Sequence, residues 1–347
     1  MLRPLLPVIL AGACSAAAQD TTNFPVLGKI LRLDPRLDAL LGSDASIEVI
    51  GSGFEWCEGP VWIPDTGHKA GGYLLFSEIP SNTVRRWDEG KGLSVFLKCS
   101  GYTGPGQYSA EPGSNGLTLD SQGRLLSCEH GDRRVSVLTT GGGKQTLTDN
   151  FEGRRFNSPN DLCVKSNGDI YFTDPIYGLP ERENDKLREL DICGVYKFDT
   201  RTRKTALLTD VLARPNGIAF SPDEKILYVA QSDPGNAIWM AFPVKDDGTL
   251  GDGKIFKDVT AMVRDKKVKG LPDGLKVDKN GNLWATGPGG VHVMAPDGTL
   301  LGRLDTGEAT SNCAFGGPDG TTLYLTADMY LCRVKTKVTG AASSRAK

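Results

Sequence analysis

Residues 160–175 read NDLCVKSNGDIYFTDP. A polar pair, Asn160-Asp161, precedes a short apolar alternation; Ser166-Asn167-Gly168 interrupts it, and Ile170 and Phe172 begin a second apolar run. Asn, Asp and Gly tolerate positive φ and join antiparallel strands tightly, so the stretch predicts two half-buried strands and a tight turn. The same grammar recurs along the chain. Asn115 begins NGLTLDSQGRLLSCEHG, Asn216 begins NGIAFSPDEKILYVAQSD and Asp273 begins DGLKVDKNGNLWATGPGG. Looser copies start at Glu58, with EGPVW and a longer turn before Tyr73-Leu74-Leu75-Phe76, and at Asn312, with NCAF followed by Pro318-Asp319-Gly320 and Leu323-Tyr324-Leu325.

The leading positions 58, 115, 160, 216, 273 and 312 lie 57, 45, 56, 57 and 39 residues apart. Such a period suits a four-stranded blade with loops of varying length. Further apolar runs supply outer strands, among them 84–87, 135–138, 195–198, 238–241 and 291–294. The prediction is an all-β fold, a six-bladed β-propeller with four-stranded blades over residues 54–338, its ring closed so that no long sheet edge is left open. Residues 19–53 form an N-terminal extension with one short helix: Asp34 caps it, Pro35 fits its first turn, and Leu37, Leu40 and Leu41 share a face. Residues 339–347 are expected to be a flexible tail.

Composition narrows the function classes. The 347 residues carry a formal charge of −2 and a pI near 6.0, without a basic run, so nucleic acid is not an expected partner. The 43 glycines and 20 prolines are spread along the chain, as many turns require. Residues 1–18 read as an export signal: Arg3, the apolar run 5–13, too short to span a bilayer, and the small pair Ala16 and Ala18 before a cleavage point. The expected location is therefore secreted or periplasmic. Cys14 offers the rival reading of a lipid anchor. Of the eight cysteines, seven survive signal removal; export permits disulfides, while strand positions such as Cys128 and Cys163 suit small buried hydrophobes. No CxxC pair suggests zinc, and no GxSxG offers a serine nucleophile.

In a propeller the inner strands line the central channel, so equivalent repeat positions converge on its axis. Those positions hold Glu58, Asn115, Asn160, Asn216, Asp273 and Asn312, all bearing oxygen. A polar ring of this kind is poorly satisfied without water or an ion, and hard oxygen donors with two carboxylates suit Ca²⁺, Mg²⁺ or Mn²⁺. The competing reading is that each leading residue only makes a turn with its own backbone.

The stretches WCEGPVW, SPNDLCVKSNGDIYFTDPIYGL, RPNGIAFSPDEKILYVAQSD, LPDGLKVDKNGNLWATGPGGVHV and NCAFGGPDGTTLYLTA, in that order, resemble the regucalcin, gluconolactonase and luciferin-regenerating enzyme family. The likeness runs from about residue 54 to 331 and is nearest the gluconolactonase branch, through CEHGDRRV and NDLCVKSNGDIYFTDP. It implies one divalent metal held by Glu58, Asn160, Asn216 and Asp273: usually calcium, with Mg²⁺, Mn²⁺ or Zn²⁺ as alternatives. It also implies hydrolysis of a sugar lactone to its aldonic acid. A metal would polarise the carbonyl, Asp273 would be general base, and Asn115, His130 and Asn312 would line the substrate side. Tyr177 and Arg155 are further candidates, Arg155 standing farther from Asn160 than the family's basic residue usually does. Two alternatives share the scaffold: an organophosphate hydrolase, and a non-catalytic calcium- or ligand-binding propeller.

Overall fold

The structure is a computed structural model and describes residues 24–265 and 267–341. The export signal and Cys14 lie outside the described residues. Six antiparallel four-stranded sheets follow one another around an axis. Their inner strands are Cys57–Pro64, Ser114–Leu119, Leu162–Val164, Pro215–Phe220, Leu275–Val277 and Thr310–Gly316. Each inner strand packs against the next, and the sixth packs against the first, which closes the ring.

The chain closes that ring with its own N-terminal side. Glu48–Ser52 pairs antiparallel with Tyr330–Lys335 and becomes the outermost strand of blade six. Lys29–Arg32 adds a fifth strand to blade five, beside Leu300–Asp305. The propeller therefore starts at residue 48 rather than 54, and the extension is woven into it. Its short helix is a single 3₁₀ turn, Pro35–Ala39, with the Asp34 carboxylate accepting from the Arg36 N–H. Leu37, Leu40 and Leu41 sink into the core between blades five and six with Trp284, Val293, Leu325 and Val334. At the other end the tail begins later than predicted. The Lys279 N–H donates to Thr339 O and the Ala341 N–H to Val277 O, so residues 339–341 are held on blade five.

The apolar core is divided into six clusters, one at each blade–blade contact. Blades two and three, for example, share Leu126, Val135, Phe156, Phe172, Tyr196 and Phe198. Blades six and one share Tyr324 and Leu331 with Leu74, Phe76 and Trp87. Alternation along each strand sends one set of side chains to each neighbouring blade, so every blade is sandwiched and the axis is left to the polar residues. Each buried aliphatic or aromatic side chain contributes about 1.5–3 kcal/mol to that stacking. Cys57, Cys128, Cys313 and Cys332 are free thiols buried in these cores.

Candidate active site

Why the repeat carries a glycine after its leading residue becomes plain at the axis. A Cβ on Gly59 would lie 2.0 Å from Asn115 O, one on Gly217 2.2 Å from Asp273 O, and one on Gly274 2.0 Å from the Asn312 side chain. These glycines let each inner strand touch the leading residue of the next blade; apart from Gly59 they do not have positive φ. The turn reading of NG and DG is thereby displaced by close approach. Strand registers slip at Glu58–Val61, Ser114–Leu117, Pro215–Ile218 and Thr310–Asn312. Bulges of this kind re-aim a side chain out of the ladder, here toward the axis.

Hydroxyls on neighbouring strands lock the ring. Ser77 Oγ donates to Asn115 O (2.8 Å), Thr173 Oγ1 to Asn216 O (2.8 Å), Thr286 Oγ1 to Ser311 O (2.9 Å) and Ser311 Oγ to Cys57 O (2.6 Å). Ser232 Oγ donates to Pro272 O, joining blade four to blade five. Asn160 is delivered by a turn pinned from below, where buried Asp174 accepts the N–H groups of Asn157 (2.8 Å) and Ser158 (2.7 Å).

Of the six ring residues, Glu58, Asn115, Asn160, Asn216 and Asn312 are buried, and Asp273 is partly exposed. Asn216 donates its amide N–H to Ser232 Oγ at 3.0 Å, which leaves Oδ1 without a partner. Asn160 Oδ1, Asn115 Oδ1, Asp273 Oδ1 and Asp161 Oδ2 are likewise buried and accept no hydrogen bond, Asp161 Oδ2 having only the Lys276 ammonium at 3.8 Å. Buried oxygens normally find a donor. Five without one around a single axis describe a site prepared for something absent from the protein's own atoms.

Its charges point the same way. Burial, together with the Asp161 charge, pushes the Glu58 carboxyl up to about 7, against hydrogen bonds from Asn312 Nδ2 (2.9 Å) and Gly59 N–H (2.6 Å). Burial raises Asp273 well above the usual carboxylate range, and Glu58, Asp161 and Glu111 add to the rise. The cation on the axis is Lys276, whose Nζ is 3.8 Å from Asp161 Oδ2 and 3.4 Å from Asn312 Oδ1. Ionised, Glu58, Asp161 and Asp273 against one ammonium leave an excess of two negative charges. One divalent cation neutralises that excess. The donors are carboxylates and amide oxygens, which fit Ca²⁺ or Mg²⁺ rather than a thiolate-preferring metal. Among the described residues there is no grouping of three His, Cys, Asp or Glu fit to hold a metal alone, so the amides are essential to the set.

The remaining candidates divide. His130 is fully buried beside Asn115, with Asn115 Nδ2 3.3 Å from Nε2, and burial pulls its imidazole down to about 4. Tyr177 reaches over the same region, donating to Ser232 O at 3.2 Å and lying close enough to feel Asp273. Asn312 has both amide atoms engaged, by Glu58 and by Cys313 N–H, and so braces Glu58 beneath the site. Arg155 is off the axis, exposed, donating to Asp132 O at 2.6 Å beside an open cavity of about 550 Å³. Sequence reasoning missed Asp161 and Lys276. Asp161 stood in view within Asn160-Asp161, where four of the other five repeats carry glycine and the sixth carries Cys313.

Fold and ring together define a propeller with an axial oxygen-donor site. Residues 56–328 match the SMP-30/gluconolactonase/LRE-like family, and the chain belongs to that family. It is 39% identical over 330 residues to a gluconolactonase of Zymomonas mobilis, covering 93% of this chain and 90% of that protein. It is 28% identical to a pentonolactonase of Haloferax volcanii, covering 78% of this chain and 80% of that one. The solved structure of a Xanthomonas campestris gluconolactonase superimposes with a TM-score of 0.77 at 31% identity, covering 91% and 98% of the two chains. A calcium-binding regucalcin of Agrobacterium tumefaciens shares the fold, with a TM-score of 0.65 at 19% identity.

Proposed function

We propose that this protein hydrolyses a sugar lactone to the open aldonic acid, with one divalent metal, calcium foremost, on the propeller axis. The observation that carries the reading is the set of unpartnered buried oxygens on Asn160, Asn216 and Asp273 beside the raised Glu58 carboxyl. Relatives named for gluconolactone and pentonolactone hydrolysis support the reaction class.

Glu58, Asn160, Asn216 and Asp273 would hold the metal, with Mg²⁺, Mn²⁺ or Zn²⁺ as alternative occupants. When bound, it supplies charge that polarises a carbonyl and stabilises the oxyanion. Asp273, the one partly exposed residue of the ring, takes the proton of the attacking water. Tyr177, donating to Ser232 O, and the buried His130 beside Asn115 flank the site. Asn115, its amide N–H turned to His130, keeps Oδ1 free to orient a substrate hydroxyl. Asn312 donates to Glu58 and Lys276 stands 3.8 Å from Asp161, so the two fix and balance the carboxylates of the ring.

A panel of aldonolactones, assayed with purified protein before and after chelation, tests the proposal. Turnover that chelation abolishes and Ca²⁺ restores is expected; turnover indifferent to chelation would remove the metal from the reaction. Export is part of the proposal and rests on residues 1–18 alone. Mature protein that still begins at Met1 would refute it.

A further inference from the structure

One cation of the protein's own stands inside the channel. Lys276 lies on the inner strand of blade five, yet its Nζ comes within 3.8 Å of Asp161 Oδ2, at the head of blade three's inner strand. Blade four separates those two blades in the ring, so a side chain that joins them crosses the channel. The same Nζ donates to Asn312 Oδ1 on blade six at 3.4 Å and to Leu275 O on its own strand at 3.0 Å. The oxygens around it are fixed from other sides. Asp161 is buried; the Leu162 N–H holds its Oδ1 at 2.8 Å, and a Cβ on Gly116 would lie 2.6 Å from that oxygen, so a glycine of blade two leaves room for the carboxylate. Oδ2 is left to the ammonium. Asn312 Oδ1 also accepts the Cys313 N–H at 2.9 Å, which turns Nδ2 to Glu58 Oε2 at 2.9 Å. Among the described residues no other Lys or Arg forms an ion pair with Glu58, Asp161 or Asp273.

We propose that Lys276 determines which ion the axis accepts: its ammonium is a tethered cation in the channel and confines the site to a divalent ion. The inference rests on the metal reading above and is independent of the lactone. An ammonium among Asp161 Oδ2, Asn312 Oδ1 and Leu275 O has the oxygen surroundings that hard cations take. Because it is covalently attached, no ion in solution displaces it. With it in place, the ionised carboxylates of Glu58, Asp161 and Asp273 keep two charges for a bound ion. Without it they keep three, and a trivalent ion becomes the one that leaves no uncompensated buried charge.

Charge and bracing are separable roles for this residue. As a brace, Lys276 acts only by holding Asn312 and through it Glu58, so its loss weakens every ion alike. As a charge, it repels a trivalent ion more than a divalent one, because the Coulomb energy scales with the product of the charges. Its loss then favours the trivalent ion. Methionine keeps the length of the side chain and drops the charge, whereas arginine keeps the charge and changes the shape.

The test titrates the chelator-stripped full chain with Ca²⁺ in a calorimeter and with Tb³⁺ by its luminescence. Wild type, Lys276→Met and Lys276→Arg are compared, with Lys276→Gln as the second neutral variant should methionine prevent folding. In the neutral variant the ratio of Tb³⁺ to Ca²⁺ affinity should rise by roughly tenfold or more, the effect of one unit charge acting across about 10 Å of protein. Lys276→Arg should keep the ratio close to that of the wild type. A ratio unchanged in the neutral variant, or raised equally by arginine, would overturn the assignment and leave the metal site standing. A wild-type chain that binds neither ion would overturn the metal reading, and this inference with it.

Discussion

Two buried carboxylates show how differently this fold treats charge. Glu129, on the second strand of blade two, is fully buried and fully answered: Arg134 lies 2.7 Å from Oε2, Lys144 2.6 Å from Oε1, and Ser136 donates to it. Glu58, on the inner strand of blade one, is equally removed from water. It has two neutral donors and is crowded by Asp161 and Asp273. The first arrangement needs nothing more. The second is incomplete until a cation arrives, and its cost is carried by the hydroxyl belt and the six apolar interfaces around it. Burial alone therefore does not mark a site here; burial with like charge and open oxygens does.

The largest expected effect comes from removing the basic oxygen at the axis. Asp273→Asn should bind metal more weakly and, even with excess metal, lose ~10²–10⁴-fold in kcat, because an amide cannot take the water's proton. Full turnover at saturating metal would reduce Asp273 to a ligand. The matching change on the blade, Glu129→Gln, should leave metal binding untouched and lower stability in urea by about 3 kcal/mol. That is the low end for breaking a buried pair, since Arg134 and Lys144 keep some access to water. Equal stability losses for Glu129→Gln and Asn160→Ala would erase the contrast, because Asn160 has no partner for its oxygen to lose.

Proton competition gives a smaller effect with a fixed sign. In the metal-free protein the Glu58 carboxyl, pushed up to about 7, still holds a proton in mildly acidic solution. A metal ion must expel the protons held by Glu58 and by Asp273, whose carboxyls are both raised, so affinity falls as pH falls through neutrality and below. Calorimetry in buffers of different ionisation enthalpy reads the released proton directly. Flat affinity between pH 5.5 and 8 would mean that Glu58 and Asp273 are both already ionised. The smallest change is expected from Asn216→Asp, which adds an anionic donor, tightens the metal a few-fold and keeps the base. Weaker binding there would show that Ser232, now facing a carboxylate, matters more than charge.

How much of this could be read beforehand differs by scale. The repeat made the inner strands and all six ring positions legible, because hairpin turns and leading polar residues are local signals. Blade six was not legible as a whole. Its outer strand, Glu48–Ser52, pairs with a strand some 280 residues away, as in Glu48 opposite Arg333, and a five-residue run with no local partner looks like linker. The helix shrank to one 3₁₀ turn because Leu40 and Leu41 had to enter the core between two blades immediately after it. At the site, the repeat indicated which residue faces the axis but not what stands beside it. Asp161 and Lys276 act through contacts between different blades, which no single repeat contains. The same holds for the serines and threonines of the belt, ordinary strand residues until a neighbour's carbonyl is placed opposite them.

The central claim, that the open axial oxygens form one metal site, is tested most directly by titrating Ca²⁺ into chelator-stripped protein and into Asn160→Ala and Asn216→Ala in a calorimeter. The expected result is one ion per chain for the wild type, accompanied by a rise in melting temperature, with both signals lost or strongly weakened in each variant. No binding to the stripped protein, or binding that survives both substitutions, would contradict it.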